Sequence, residues 1–352
     1  MPRYSKTTKT ERLRQRLFFQ YNKADYTGAA RLGEALLRAH DRYHSTDTVA
    51  YDDDLYNTAM ACGAAGRIDR AVELYTESIH RTFSRSGVGL PVAVKLTNLA
   101  ALLSMHDQHE ASCRIFMQAL SIRRQILPHN HGDLADALYN MGNALIRAGR
   151  CNDAIPALNS ALHIYSKIEN GNYSGIGDGS STECSNFINC LHVIASAYEK
   201  IGDFKNAIPY AEAAWRSLAQ SDIPEYHRAG YYLAGLYELV YRYNDACKLY
   251  LSIMEWVEQT VGCSHSGYIN LATKAASQLA KLGDLRQSKD ILLRLSKLIE
   301  DMVGNNNLTY SNCIRNLAIL HQQLEEWDEA ENLIKESDSV FKNFPESIPP
   351  VI

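Results

Sequence analysis

Apolar side chains recur along this chain at steps of three and four, the period of an amphipathic helix. Between Leu134 and Tyr165 they fall at Leu138, Met141 and Leu145, and again at Leu158, Ala161 and Leu162. Gly149-Arg150-Cys151-Asn152-Asp153 separates the two runs, a cluster of residues that ends one helix and starts the next. The pattern predicts an antiparallel helix pair closed by a tight turn, with Ala154 opening the second helix. Equivalent turns stand at Gly66-Arg67-Ile68, Gly202-Asp203-Phe204 and Gly283-Asp284-Leu285.

The pair repeats. Small residues open successive second helices at Ala29, Ala71, Ser112, Ala154, Ala207, Ala246, Ser288 and Ala330, spaced by 42, 41, 42, 53, 39, 42 and 42. A period of this size marks an array of stacked supersecondary units. Twelve positions before seven of these anchors stand Ala59, Ala100, Gly142, Ala195, Ala234, Ala276 and Ala318, where a missing side chain lets paired helices approach. The one long gap holds the Gly/Ser-rich insertion at 170–183. The expected organisation is a basic flexible tail at 1–10, one array over 11–343 and a C-terminal tail at 344–352.

The connectors carry a family resemblance. Leu127-Pro128-His129-Asn130-His131 and Val261-Gly262-Cys263-Ser264-His265 each precede a first helix. Leu96-Thr97-Asn98-Leu99-Ala100 and Ile314-Arg315-Asn316-Leu317-Ala318 lie within first helices. On these residues the chain resembles tetratricopeptide repeat proteins of the 42-residue type found in kinesin light chains. The resemblance implies an all-α fold, a right-handed superhelical solenoid of about eight antiparallel helix pairs whose first helices line an inner groove. The heptad run that docks such light chains to a motor has no counterpart here.

Composition narrows the function. The 352 residues carry 36 Lys and Arg against 40 Asp and Glu, a net charge of −4, which argues against a nucleic-acid partner. No apolar run reaches the length of a membrane span, and the N-terminal residues have no apolar core, so no membrane association and a cytoplasmic location are expected. The eight cysteines form no Cys-x-x-Cys pair and read as reduced gap-fillers. Tyrosine is in excess, 21 against 8 phenylalanines, which helical packing accounts for in part.

Catalysis finds no support. Gly175-x-Gly177-x-Gly179 lacks the preceding strand that a phosphate cradle needs, and the His106–His109 and His129–His131 clusters lack a converging third ligand. Tyr51-Asp52-Asp53-Asp54 opens a helix, where carboxylates suit the positive end of the dipole. The charged ends of the chain read as solvated surfaces. No enzyme, no cofactor and no metal are expected.

The candidate site is the inner groove. Two residues before the small packing position stand Asn57, Asn98, Asn140 and Asn316. In families with this repeat such an asparagine often holds an extended peptide backbone, a task its paired donors and acceptor suit. Selectivity would come from Tyr56, Tyr139, Tyr231 and Arg315, and a basic stripe of Arg147, Lys200 and Lys281 would favour an acidic segment. The expected function is a protein- or peptide-binding scaffold, possible also as a homodimer through an uncovered C-terminal end. The alternative is a peptide-sensing regulatory receptor, since peptide-pheromone receptors of Gram-positive bacteria are similar in length and repeats.

Overall fold

The computed structural model describes residues 6–43, 45–169, 181–218, 224–263 and 266–344. Within these the chain forms helices and no strand. In order they are α1 Lys6–Asn22, α2 Tyr26–Arg42, α3 Val49–Ala64, α4 Ile68–Ser86, α5 Leu90–Met105, α6 His109–Ile126, α7 Gly132–Arg147 and α8 Cys151–Glu169. Then follow α9 Ser181–Lys200, α10 Phe204–Leu218, α11 Pro224–Leu239, α12 Tyr243–Thr260, α13 Ser266–Lys281, α14 Leu285–Val303, α15 Leu308–Gln323 and α16 Trp327–Phe341. The chain divides into two compact units, residues 1–201 with α1–α9 and residues 202–352 with α10–α16. Inside each unit every helix packs on the next in sequence. In the first unit α5 also packs on α7, and α7 on α9, so odd-numbered helices lie side by side on one face.

All eight predicted anchors sit at one register, the fourth residue of an even-numbered helix, and none exceeds 1% exposure. The two serine anchors turn their hydroxyls to the residue twelve positions earlier: Ser112 Oγ donates to the Ala100 carbonyl at 2.7 Å, Ser288 Oγ to that of Ala276 at 2.8 Å. A buried hydroxyl is thereby satisfied where the other repeats use alanine. At Gly142 a Cβ would lie 2.5 Å from Leu158 Cγ, so this hairpin closes more tightly than its neighbours. Nearby Ala144, one face away in the repeat, is also core at 1% exposure.

The turns share one conformation. Five residues before each anchor φ is positive, at Ala24, Gly66, Asp107, Gly149, Gly202, Tyr241, Gly283 and Glu325. Glycine occupies half of these places, and the rest bear the cost of a left-handed L-residue, about 1–2 kcal/mol. At Gly149 a Cβ meets no atom within 4 Å, so backbone strain is the only penalty there. Gly149→Ala is expected to lower stability by about 1 kcal/mol, and Ala24→Gly to raise it by up to about 1 kcal/mol. Opposite shifts of the urea midpoint, followed by circular dichroism, would bear this out; midpoints unchanged in both would refute it.

Several expectations change at the N-terminal end. α1 already begins at Lys6, inside the stretch expected as a tail, and Thr10 is buried. Asp54 is fully buried, and Arg14 grips it with Nε at 2.7 Å and Nη2 at 2.8 Å. His40 Nε2 lies 2.8 Å from the same carboxylate, and its Nδ1 lies 2.9 Å from Ser45 Oγ. Asp52 takes Arg81 Nε at 2.6 Å and Arg85 Nε at 2.9 Å. These aspartates are cross-helix ion-pair centres, not dipole caps. The cap of α3 is Thr48, which accepts from the Tyr51 N–H at 3.2 Å. Lys95 is buried beside them, its ammonium 2.8 Å from both Ser78 Oγ and Thr82 Oγ1, and burial pushes its pKa down.

The tyrosine excess also resolves. Five phenols donate to carboxylates: Tyr165 to Asp136 at 2.6 Å, Tyr237 to Glu212 at 2.8 Å, Tyr250 to Glu238 at 2.6 Å, Tyr268 to Glu258 at 2.5 Å and Tyr310 to Glu336 at 3.0 Å. Phenylalanine could fill the same space but would leave the carboxylates without these donors. Of the 170–183 insertion, 170–180 lie outside the described residues and α9 begins at Ser181. Residues 345–352 of the C-terminal tail also lie outside them. α16 is the last helix among the described residues. Its exposed positions are mostly charged, Asp328, Glu329, Glu331, Lys335 and Asp338, with Trp327 the apolar exception at 63%.

Candidate functional site

Two residues along a helix turn the side chain by about 200°, so residues two before the packing alanine face away from the paired helix. That places Asn57 on α3, Asn98 on α5, Asn140 on α7 and Asn316 on α15 at one register, each half-buried. The structure brings some of the predicted site residues together and separates others.

In the first unit a groove of about 320 Å³ runs between α5 and α7, lined by Ser104, Met105, Tyr139, Asn140, Asn143 and Arg147. Three of the predicted residues, Tyr139, Asn140 and Arg147, meet here. Arg147 Nη1 lies 3.4 Å from the Ser104 carbonyl, which holds the guanidinium across the groove mouth. Asn143 Nδ2 donates to the Tyr139 carbonyl at 3.2 Å. Burial raises the Tyr139 pKa, so the phenol remains a neutral donor at physiological pH. Met105 is 72% exposed, an adaptable apolar surface at the rim. In the second unit the equivalent groove, about 150 Å³ between α13, α14 and α15, is lined by Ala276, Ala280 and Ile319 with Lys281, Asn316 and Gln323. The Lys281 ammonium stands 5.0 Å over the Tyr243 ring.

The remaining residues are engaged elsewhere. Asn98 Nδ2 donates to the Tyr56 hydroxyl, and the Tyr56 ring meets Tyr75 edge-on at 5.8 Å. Asn98 therefore has one of its two amide donors committed inside the protein, joining α3 to α5. Arg315 turns to α16, 3.4 Å from Asp338 and 5.4 Å over the Phe341 ring. Lys200 ends α9 in an exposed position and lines neither groove; nor does Asn57. Tyr231 meets Tyr250 edge-on at 5.5 Å. At the asparagine register of α13, Lys274 pairs with Glu238 at 3.0 Å. Ser104, Asn143 and Gln323 were not read from the sequence as site residues. Gln323 had a signal available, because it occupies the register of Arg147 and Lys281, seven before the anchor.

Among the described residues no three His, Cys, Asp or Glu side chains converge as a metal set. His131 instead caps α7, its Nδ1 accepting from the Asp133 N–H at 3.1 Å. Cys62, Cys113, Cys151, Cys190, Cys247 and Cys313 are buried free thiols and Cys263 a partly exposed one; burial pushes Cys190 and Cys313 up to about 12. No helix among the described residues is long and apolar enough to cross a membrane.

Sequence models of the tetratricopeptide repeat match residues 91–167, 188–215 and 311–337. No curated protein matches the chain. Among solved structures the chain is similar to nearly identical TPR-like repeats from Podosopora anserina, described as those of a kinesin light chain. Identity there is 15%, coverage 62% of this chain and 99% of that one, and the TM-score 0.50. It is similar to RapI in its apo form at 8% identity, covering 96% of this chain and 99% of that one, with a TM-score of 0.56. The C-terminal part of a TPR repeat-containing protein from Cytophaga hutchinsonii matches at 12% identity, over 81% and 95% of the two chains, with a TM-score of 0.57. At these identities the likeness is one of fold.

Proposed function

We propose, from the premise that this chain is a tetratricopeptide repeat protein of the kinesin-light-chain-like type, that it is a non-catalytic scaffold holding an extended partner segment against its odd-numbered helices. The observation that carries this reading is the α5–α7 groove, where Asn140, Tyr139 and Arg147 converge on one open trough. Asn140 offers an amide to a peptide main chain, Arg147 offers charge to an acidic side chain, and Met105 offers apolar surface. The Lys281–Asn316 groove repeats the arrangement in the second unit and supports the same reading.

The test is capture of partners from the source cells, followed by titration of the captured segment against variants. Asn140→Ala is expected to weaken binding by about 1–3 kcal/mol, roughly five- to 150-fold, because a ligand amide loses its partner. Arg147→Glu is expected to slow association and to reduce its sensitivity to salt. Asn98→Ala serves as the contrast, since its amide is already bonded to Tyr56. Undiminished affinity in folded Asn140→Ala and Arg147→Glu proteins would move the partner off this face. The receptor alternative draws on the division into two compact units and expects a changed scattering profile when a short peptide is added.

A further inference from the structure

The even-numbered helices of the first unit hold a second trough that the odd-face reading does not use. It consists of two neighbouring stretches that both take Arg124 into their lining, one of about 410 Å³ between α6 and α7 and one of about 440 Å³ where α6, α7 and α8 meet. Leu134, Leu138 and Met141 succeed one another along the floor, a length of about 10 Å on a helix. Met117 opens one end at 47% exposure, so the apolar surface on offer is chiefly two methionines, which adapt to varied side chains.

Its polar lining is one-sided. Arg124 lines the trough together with the imidazoles of His129 and His163, and among the described residues no carboxylate does. None of the three has an ion pair within the described part of the chain, whereas Arg14, Arg81, Arg85 and Arg150 all do. In a chain of net charge −4 an acid-free trough is not what the average surface supplies. Arg123, the neighbour of Arg124, shows the internal alternative: it is buried and donates to Thr97 Oγ1 at 2.7 Å.

We propose that this trough is a second docking site, lined by residues other than those of the odd-face groove, for a short acidic peptide segment bearing an apolar side chain. A carboxylate of the segment pairs with Arg124, the imidazole N–H of His129 or His163 donates a hydrogen bond to it, and the segment's apolar side chain lies against Met117 and Met141. Charge complementarity selects the acidic partner, and the shallow floor limits the apolar contact to one side chain.

The test uses the full chain and a random twelve-residue peptide library displayed on phage. Selection is expected to enrich peptides with two or more Asp or Glu flanking an aliphatic or aromatic residue. Synthetic copies are expected to bind Arg124→Glu/His163→Glu at least tenfold more weakly than the parent, and the milder Arg124→Gln several-fold more weakly. Their affinity for Asn140→Ala should be unchanged, which separates this site from the odd-face groove. Circular dichroism checks that the variants fold, as substitutions of exposed side chains should allow. Enrichment without acidic residues, no enrichment, or binding that survives the double charge reversal would overturn the proposal. So would self-association in sedimentation that the double variant abolishes, because a second copy would then be the occupant.

Discussion

Replacing Asp54 by alanine is expected to destabilise the first unit by about 3–5 kcal/mol, the usual cost of breaking a buried pair from one side. The carboxylate is wholly buried, held by two Arg14 nitrogens and by His40, while Thr58 Oγ1 donates to the Asp54 carbonyl at 2.7 Å. Without it His40 keeps a ring nitrogen inside the core with no partner, and Arg14 loses the contact that ties α1 to α3. Arg85→Ala provides the contrast. Its guanidinium is about a third exposed, and Arg81 still serves Asp52, so the expected loss is about 1 kcal/mol or less. Urea unfolding followed by circular dichroism distinguishes the two. If Asp54→Ala unfolds within 1 kcal/mol of the parent, the network contributes no net stability and Arg14 simply returns to water.

Raising the pH through 10 to 12 is expected to unfold the protein in a cooperative step. Burial, reinforced by a neighbouring carboxylate, pushes Tyr237 and Tyr310 from the ordinary value near 10 up to about 12, and raises Tyr165, Tyr250 and Tyr268 as well. A folded pKa above the unfolded one means that the contribution is complete below pH 10. Above 10 the unfolded chain sheds its protons first, and the contribution is lost as the pH climbs to the folded value. Tyr237 and Tyr310 each account for about 1–2 kcal/mol across that window. The buried thiols Cys190 and Cys313 act in the same direction from their ordinary value of 9 up to about 12. The share of the 295 nm phenolate absorbance that belongs to these five tyrosines should therefore appear only together with loss of the helix signal. Complete ionisation of all 21 tyrosines near pH 10 with the helices intact would show that these hydroxyls are open to water.

The repeat itself was legible because it rests on local rules. An apolar stripe at helical spacing, a turn that requires positive φ, and a small residue where helices touch each leave a mark on one segment of sequence. Hence all eight anchors fall at one helical register, and Ser112 and Ser288 could be recognised as equivalents of alanine from spacing alone. The candidate site was legible in part for the same reason. Register placed Asn140 and Arg147 on one side of α7, and Lys281 and Asn316 in corresponding places.

What sequence could not give is the partner of each polar side chain, because partners lie some 10 to 43 residues away and the choice among them is made by packing. Asn98 and Asn140 have the same register, yet one is spent on Tyr56 and the other lines a groove. Arg147 and Arg315 both read from the sequence as groove residues, but Asp338 and Phe341 on α16 draw Arg315 away. Asp52 and Asp54 read as helix-start carboxylates, whereas the structure buries them and sets them against arginines from other helices. Sequence by itself determined the helix pairs, their period and the face each helix turns to its mate, since these follow from spacing along one chain. Only the tertiary structure decided which side chains remain available to a ligand, since that depends on long-range contacts that bury some charges in pairs and leave others in the grooves.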